Sequence, residues 1–150
     1  MKYRNKKVVV DEIVFDSKDE ASFYLDLKTM KDNGEVINFS LQPRKVLIPS
    51  FKKYGKTIRA LTYTPDFFVE YADGRKVYVD VKGFATQASL LRKKLFDYIY
   101  PDLTLIWLTK NKTYGDKYGW IDKDELESIK RKNKKHQRRS WSNENKNYHL

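Results

Sequence analysis

Asp80 and Lys82 stand two residues apart in the run R-K-V-Y-V-D-V-K-G at 75–83, and Pro65-Asp66 precedes them across one short connection. A strand has a side-chain period of two, so Asp80 and Lys82 share one face with Tyr78 while Val77, Val79 and Val81 take the other. A carboxylate and an ammonium held side by side can bind a cation, orient a water and offset negative charge that develops during a reaction. The same spacing of an acid and a lysine also occurs at Asp16 and Lys18, at Asp26 and Lys28 and at Glu144 and Lys146. The tripeptide therefore acquires meaning only from its surroundings.

Hairpin register supplies that meaning. Residues 62–71 and 75–82 are rich in aromatic and β-branched residues and flank Ala72-Asp73-Gly74, a three-residue loop with glycine at its left-handed third position. The loop pairs Tyr71 with Arg75. Counting back puts Glu70 opposite Lys76, Val69 opposite Val77, Phe68 opposite Tyr78, Phe67 opposite Val79 and Asp66 opposite Asp80. A two-residue Asp73-Gly74 turn would instead send the two acids to opposite faces. In the favoured register like charges face each other and repel unless a cation, such as a divalent metal, sits between them. The bland alternative leaves the two acids apart at a solvated strand end, with Lys82 in a surface ion pair.

A third acid joins them from the N-terminal side. Ser17-Lys18-Asp19-Glu20 reads as a helix N-cap followed by a capping-box glutamate, opening a helix that runs to about Asp32 and stops at Asn33-Gly34. Glu20, Phe23, Tyr24, Leu27 and Met30 follow one helical stripe, which sets Glu20 at the edge of the inward face. An acid there needs a partner.

A helix bearing Glu20, a strand pair bearing Pro65-Asp66 and Asp80-Val81-Lys82, then a helix and a further strand resemble, in that order, the PD-(D/E)xK nuclease superfamily. F-D-S-K-D-E-A at 15–21, Q-P at 42–43, Y-T-P-D-F at 63–67 and D-V-K-G at 80–83 are similar to a bacteriophage family of small endonucleases of the Holliday junction resolvase kind, over about residues 10–108. The resemblance implies a single α/β domain with a restriction-endonuclease-like core, a mixed central sheet flanked by helices. It further implies Mg2+, with Mn2+ as a substitute, held by Asp66, Asp80 and Glu20 with the carbonyl of Val81 as an extra ligand. Lys82 would then activate or orient the attacking water. The implied activity is a magnesium-dependent DNA endonuclease acting on branched DNA in phage recombination or processing. A duplex or single-strand nicking endonuclease is the alternative among enzymes, and a non-catalytic nucleic-acid-binding module is the alternative from another class. The second helix carries Arg92-Lys93-Lys94, with arginine where the family pattern leads one to expect lysine.

The residue types suit this chemistry. Magnesium is a hard ion that takes oxygen ligands and keeps several waters, so two or three carboxylates make an adequate site. Gln42 could hold a metal-bound water or cap backbone. The chain has no cysteine, and its histidines, His136 and His149, lack metal-ligand spacing, which argues against zinc.

Length and charge bound the rest. A chain of 150 residues fits one domain, here 1–129 followed by a basic tail at 130–150. Of the net charge of +11, residues 130–139 supply Lys130, Arg131, Lys132, Lys134, Lys135, Arg138 and Arg139 with no acid, leaving 24 minus 20, or +4, elsewhere. These cations, together with Arg92, Lys93 and Lys94, are the candidate DNA contacts, with Trp141 and Tyr148 available for base stacking. The alternative is a solvated, disordered tail. No apolar stretch reaches membrane length and the start M-K-Y-R-N-K-K lacks a secretory core. Residence in the cytoplasm of a bacterial host is therefore expected, with a homodimer as a common arrangement for a nuclease of this size.

The remaining segments read coarsely. Residues 8–15 form a strand or small hairpin bent at Asp11-Glu12, 36–41 and 44–48 are extended, and 49–57 is a lysine-rich loop. Residues 87–100 form a helix with Leu91, Leu95 and Ile99 on one stripe, and 103–108 a buried strand reached by an α/β crossover. Residues 109–117 are a polar connector, and Asp122 with Glu125 caps a short helix supported by Leu126 and Ile129.

Overall fold

The computed structural model describes residues 6–146, with side chains described over residues 6–143. Its first hairpin joins β1 (Val8–Val10) to β2 (Ile13–Phe15). Asp11 and Glu12, at φ of 50° and 63°, make the left-handed turn that matches the twist of a two-residue hairpin. Helix α1 (Lys18–Asp32) begins at Ser17, whose hydroxyl accepts the Glu20 N–H at 3.1 Å. Gly34, at φ 75°, turns the chain just after the helix ends. Ala21, Phe23, Tyr24, Leu27 and Met30 form its buried stripe.

Next come β3 (Val36–Leu41), β4 (Lys45–Ile48), β5 (Phe51–Lys53), β6 (Lys56–Ile58), β7 (Leu61–Tyr63), β8 (Phe67–Tyr71) and β9 (Lys76–Val81). After helix α2 (Gln87–Ile99) follow β10 (Thr104–Lys110), β11 (Trp120–Asp122) and helix α3 (Lys123–Lys146). The central sheet has five strands in the order β11-β10-β9-β8-β3. It is mixed: β9 and β10 run parallel, with α2 as the crossover between them, and the other pairs are antiparallel. The chain is thus a single α/β domain. Helix α1 covers the sheet face that carries Phe67, Val69, Val77, Val79 and Val81. Helix α2 covers the other, through Phe96 against Tyr63, Tyr78 and Leu105.

The hairpin register is the one expected. Phe67 pairs with Val79, Phe68 with Tyr78, Val69 with Val77 and Glu70 with Lys76, and the Tyr71 N–H donates to the Arg75 carbonyl at 2.9 Å. Other expectations need correction. The strand expected over 62–71 is two strands, because Pro65 has no N–H to continue a ladder; β7 leaves the main sheet and pairs with β4. The loop expected at 49–57 is a hairpin, β5 paired with β6. Leu91 is not part of the inward stripe of α2: it is 60% exposed, and Phe96 is the residue fully buried. β10 continues to Lys110, into the stretch read as a polar connector, and beyond that stretch Trp120 and Ile121 enter the sheet as β11.

Helix α3 is not short. Asp122 Oδ1 caps it through the N–H groups of Asp124 and Glu125 at 2.8 and 3.2 Å. Leu126 and Ile129 seat its first turns, and the helix then runs without a break across residue 130 to Lys146. The segment expected as a tail is therefore helical and exposed over its described length, with Trp141 71% exposed. Tyr148 and His149 lie outside the described residues.

Candidate active site

Three elements bring the acids together. β9 alternates as its sequence dictates, so Tyr78 and Asp80 point to the α2 side while Val77, Val79 and Val81 point to α1. Asp80 is 5% exposed, the only buried charged residue among those described. Its register partner on β10 is Trp107. Asp66 follows the buried Pro65 and sits one position before β8, where the register carries it opposite Asp80.

The two carboxylates are laced across the strand pair by backbone. The Asp66 N–H donates to Asp80 Oδ1 at 3.3 Å, and the Val81 N–H donates to Asp66 Oδ2 at 2.8 Å. Asp80 Oδ2 accepts from the Tyr63 hydroxyl at 2.5 Å and lies 3.4 Å from Lys82 Nζ. The Trp107 indole N–H in turn donates to the Tyr63 oxygen at 3.0 Å. A chain of donors from Trp107 through Tyr63 thus fixes Asp80, and Lys82 neutralises it from the solvent side. Lys82 and Lys93 both stand over the Trp107 ring, at 5.8 and 5.9 Å from its centroid.

Glu20 arrives from the first turn of α1. Its carboxylate accepts from the Asp16 N–H at 3.3 Å and from the Ser17 hydroxyl at 3.4 Å, so the return arm of the capping box closes one residue earlier than the motif implies. Burial raises the Glu20 pKa, and the neighbouring charge of Asp16 adds to this, with Asp80 contributing as well. Asp66 is raised more strongly, first by burial and then by the charges of Asp80 and Glu20. Tyr63 is likewise raised by burial and by Asp80, and stays a neutral donor. Asp66 therefore feels both of the other acids across one site.

That site is a cleft of about 240 Å³ lined by Asp16, Glu20, Thr62, Tyr63, Thr64, Asp66, Asp80, Val81, Lys82, Ser89 and Arg92. Among the described residues no group of three or more His, Cys, Asp or Glu side chains is arranged to hold a metal ion. Both Asp80 oxygens and one Asp66 oxygen accept hydrogen bonds from protein donors. The donor set itself, carboxylate oxygens crowded in a partly desolvated cleft with one ammonium, matches what a hard divalent cation binds. A larger groove of about 690 Å³ on the α1 side, lined in part by Met30, Glu35, Tyr71, Arg75 and Tyr118, contains none of the four motif residues.

The other expected residues separate. Arg92 lines the cleft. Lys93 is bound to Asp97 at 3.1 Å, and Lys94 is exposed on the outer side of α2. Gln42 is not in the cleft wall; it is exposed at φ 48°, and its N–H donates to the Asp66 carbonyl at 2.9 Å. Lys130, Arg131, Lys132, Lys134, Lys135, Arg138 and Arg139 all lie on the exposed length of α3. Sequence reasoning missed Tyr63 and Trp107 as the supports of Asp80. Tyr63 was legible in part, since it lies on the far side of the proline that breaks the strand.

Residues 1–116 match the family described as Protein of unknown function (DUF1064), and the chain belongs to that family. Comparison with curated proteins and with solved structures returns no match. Among the described residues no helix is long and apolar enough to cross a membrane.

Proposed function

We propose that this member of the family is a metal-dependent DNA endonuclease of the PD-(D/E)xK kind, acting on phosphodiester bonds of branched DNA in the cytoplasm of a bacterial host during phage DNA recombination or processing. One observation carries the reading: Glu20, Asp66, Asp80 and Lys82, from three separate elements, line one cleft. Nothing in the core requires this arrangement, and it costs stability, because burial and mutual charge raise the Asp66 and Glu20 carboxyls.

Asp66, Asp80 and Glu20, with the Val81 carbonyl, are the groups that would hold Mg2+ or Mn2+. The bound ion would supply charge to the phosphoryl oxygen and to the leaving oxygen. The chain's own residues do the remainder. Tyr63 and Trp107 hold the Asp80 carboxylate in one orientation. Lys82, 28% exposed at its side chain, is the ammonium that can reach a water or a phosphate oxygen at the mouth. Arg92, which also lines the cleft, is a cation that can pair with a flanking phosphate oxygen. Branched DNA as substrate rests on resemblance and size.

The engagement of both Asp80 oxygens by protein donors favours a second reading, a nucleic-acid-binding module whose acids are structural. Incubation of the purified chain with supercoiled, linear, single-stranded and four-way DNA separates the two. The enzyme reading expects Mg2+- or Mn2+-dependent cleavage that Asp80→Asn abolishes. No cleavage of any of the four substrates, or an Asp80→Asn variant that cuts as well as the wild type, would overturn it; the module would shift DNA in the absence of metal and cut none.

A further inference from the structure

We propose that the two-stranded ribbon of residues 45–63 is an arm that grips the nucleic-acid strand flanking the acidic cleft, with Tyr54 at its tip stacking on a base that has lost a stacking neighbour, as at a branch point or gap. The inference rests on the nucleic-acid reading above and names a second contact surface for the same site.

The ribbon begins at the cleft. β7 ends with Thr62 and Tyr63, which with Thr64 line the acidic pocket, and it pairs with β4 through Lys45 opposite Tyr63 and Val46 opposite Thr62. This base is fixed. Leu47 is buried, the Tyr100 hydroxyl donates to the Val46 carbonyl at 2.5 Å, and the Lys45 ammonium lies over the rings of Tyr78 and Tyr100. Beyond it the same two chain segments continue as β5 and β6, with Phe51 opposite Ile58, Lys52 opposite Thr57 and Lys53 opposite Lys56. Every residue of this distal hairpin is exposed. Nine residue-to-residue steps lead from Tyr63 to Tyr54, so at about 3.3 Å per step the tip can stand up to roughly 30 Å from the cleft, close to one turn of duplex.

Three features of the distal hairpin lack a purpose within the protein. It is purely cationic: Lys52, Lys53 and Lys56 are its charges, and no acid occurs anywhere between Glu35 and Asp66. Lys53 faces Lys56 directly, a like-charge pair that weakens the ladder. Lastly, Tyr54 occupies the first turn position at φ 51°, where asparagine or glycine is preferred, and its side chain is 90% exposed with Lys53 over the ring at 5.3 Å. Apart from that Lys53 contact, a residue 90% exposed gains nothing from internal packing in the strained position. A polyanion relieves the charge opposition, and a base offers the exposed ring a stacking partner. In intact duplex the bases are already stacked, so the ring discriminates in favour of a branch point or gap.

The test measures binding of the full chain, in EDTA so that no DNA is cut, to a fluorescent four-way junction and to a duplex of one of its arms, across a salt series. Tyr54→Ala is expected to weaken junction binding about 5- to 100-fold, in line with the loss of one stacked base, while duplex affinity stays within about twofold and Tyr54→Trp restores the junction. A Lys52→Ala, Lys53→Ala, Lys56→Ala triple variant is expected to weaken both and to lower the salt slope by about 2 to 3. The proposal is overturned if the triple variant keeps the wild-type slope and affinity, if Tyr54→Ala binds the junction as the wild type does, or if the wild type binds neither DNA. These sites are exposed, so a matching thermal melt certifies folding. A separate Mg2+ cleavage assay keeps the two readings apart: arm-dependent binding without any cleavage sinks the nuclease and spares the arm, whereas cleavage that survives with arm-independent binding does the reverse.

Discussion

Asp66→Asn should make the metal-free protein more stable. Side chains directly opposed on a strand pair stand about 5 Å apart, and two like charges at that separation with an effective dielectric near 20 repel by roughly 3 kcal/mol. Asparagine keeps an acceptor for the Val81 N–H, now 2.8 Å from Asp66 Oδ2, but a neutral acceptor gives up about 1 kcal/mol of that bond. The net gain is about 2 kcal/mol, which for a chain of this size is an upward shift of about 4–8 °C in Tm. The sign follows from the direction of the Asp66 shift. A carboxyl raised in the folded state costs nothing below the unfolded value near 4 and increasingly destabilises the fold as pH climbs through the folded one. The advantage of Asp66→Asn must therefore vanish toward pH 4 and grow as pH rises toward about 8, the value to which the Asp66 carboxyl is pushed. Thermal melts in EDTA at the two pH values measure it, and a Mg2+ titration should then narrow the gap by stabilising only the wild type. An Asp66→Asn variant that melts at or below the wild type at pH 8 in EDTA refutes the claim that three acids share this cleft.

Asp80→Asn relieves the same repulsion but sets an amide among the Tyr63 hydroxyl, the Asp66 N–H and Lys82, leaving donors facing a donor at a cost of about 1–3 kcal/mol, so in EDTA it should melt below Asp66→Asn; an equal or higher melt would refute it. Tyr63→Phe strands the Trp107 indole N–H and removes one donor from Asp80, and should cost about 1–3 kcal/mol with Tm lowered accordingly. Removal of residues 130–150 should weaken DNA binding and flatten its salt dependence, by up to about 0.9 per lost phosphate contact, while Mg2+ stabilises the remainder as before; an unaltered slope refutes the role of α3. Ser17→Ala should lower stability by about 1 kcal/mol through loss of the α1 cap and free Glu20 from one of its two donors, measured by melts with and without Mg2+.

Local rules carried most of the fold. Glycine at the third position of the 72–74 loop set the β8–β9 register, and that register alone predicted the opposition of Asp66 and Asp80. The Ser17 cap and the Phe23–Met30 stripe were equally legible. What failed depended on tertiary choice. Pro65 was read as part of a motif rather than as the point where one strand leaves the sheet, so the ribbon from β4 to β7 and the role of Tyr63 went unseen. The hairpin at 51–58 was hidden because its turn uses Tyr54-Gly55 in place of the Asn-Gly pair that announces such turns. Leu91 looked like core because periodicity cannot say which of two helical stripes meets the sheet.

The charge distribution links these parts. Helix α3 has no apolar face after Ile129, and Lys130 with Lys134, Arg131 with Lys135, Lys134 with Arg138, and Lys135 with Arg139 put like charges at four-residue spacing, each unfavourable by about 0.2–0.5 kcal/mol. Packing therefore supports only the first turns, and the exposed length is self-repelling. The ribbon has the same character in strand form, with Lys53 set against Lys56. The cleft has the inverse character, with acids set against one another. Two basic projections and one acidic hollow, each unfavourable alone, would each be relieved by the one kind of molecule proposed above, a polyanion lying along the projections and bringing its divalent counterions to the hollow. A structural role for the acids accounts for the hollow only. It leaves unexplained the exposed tyrosine at a left-handed turn position and the like charges spaced along α3.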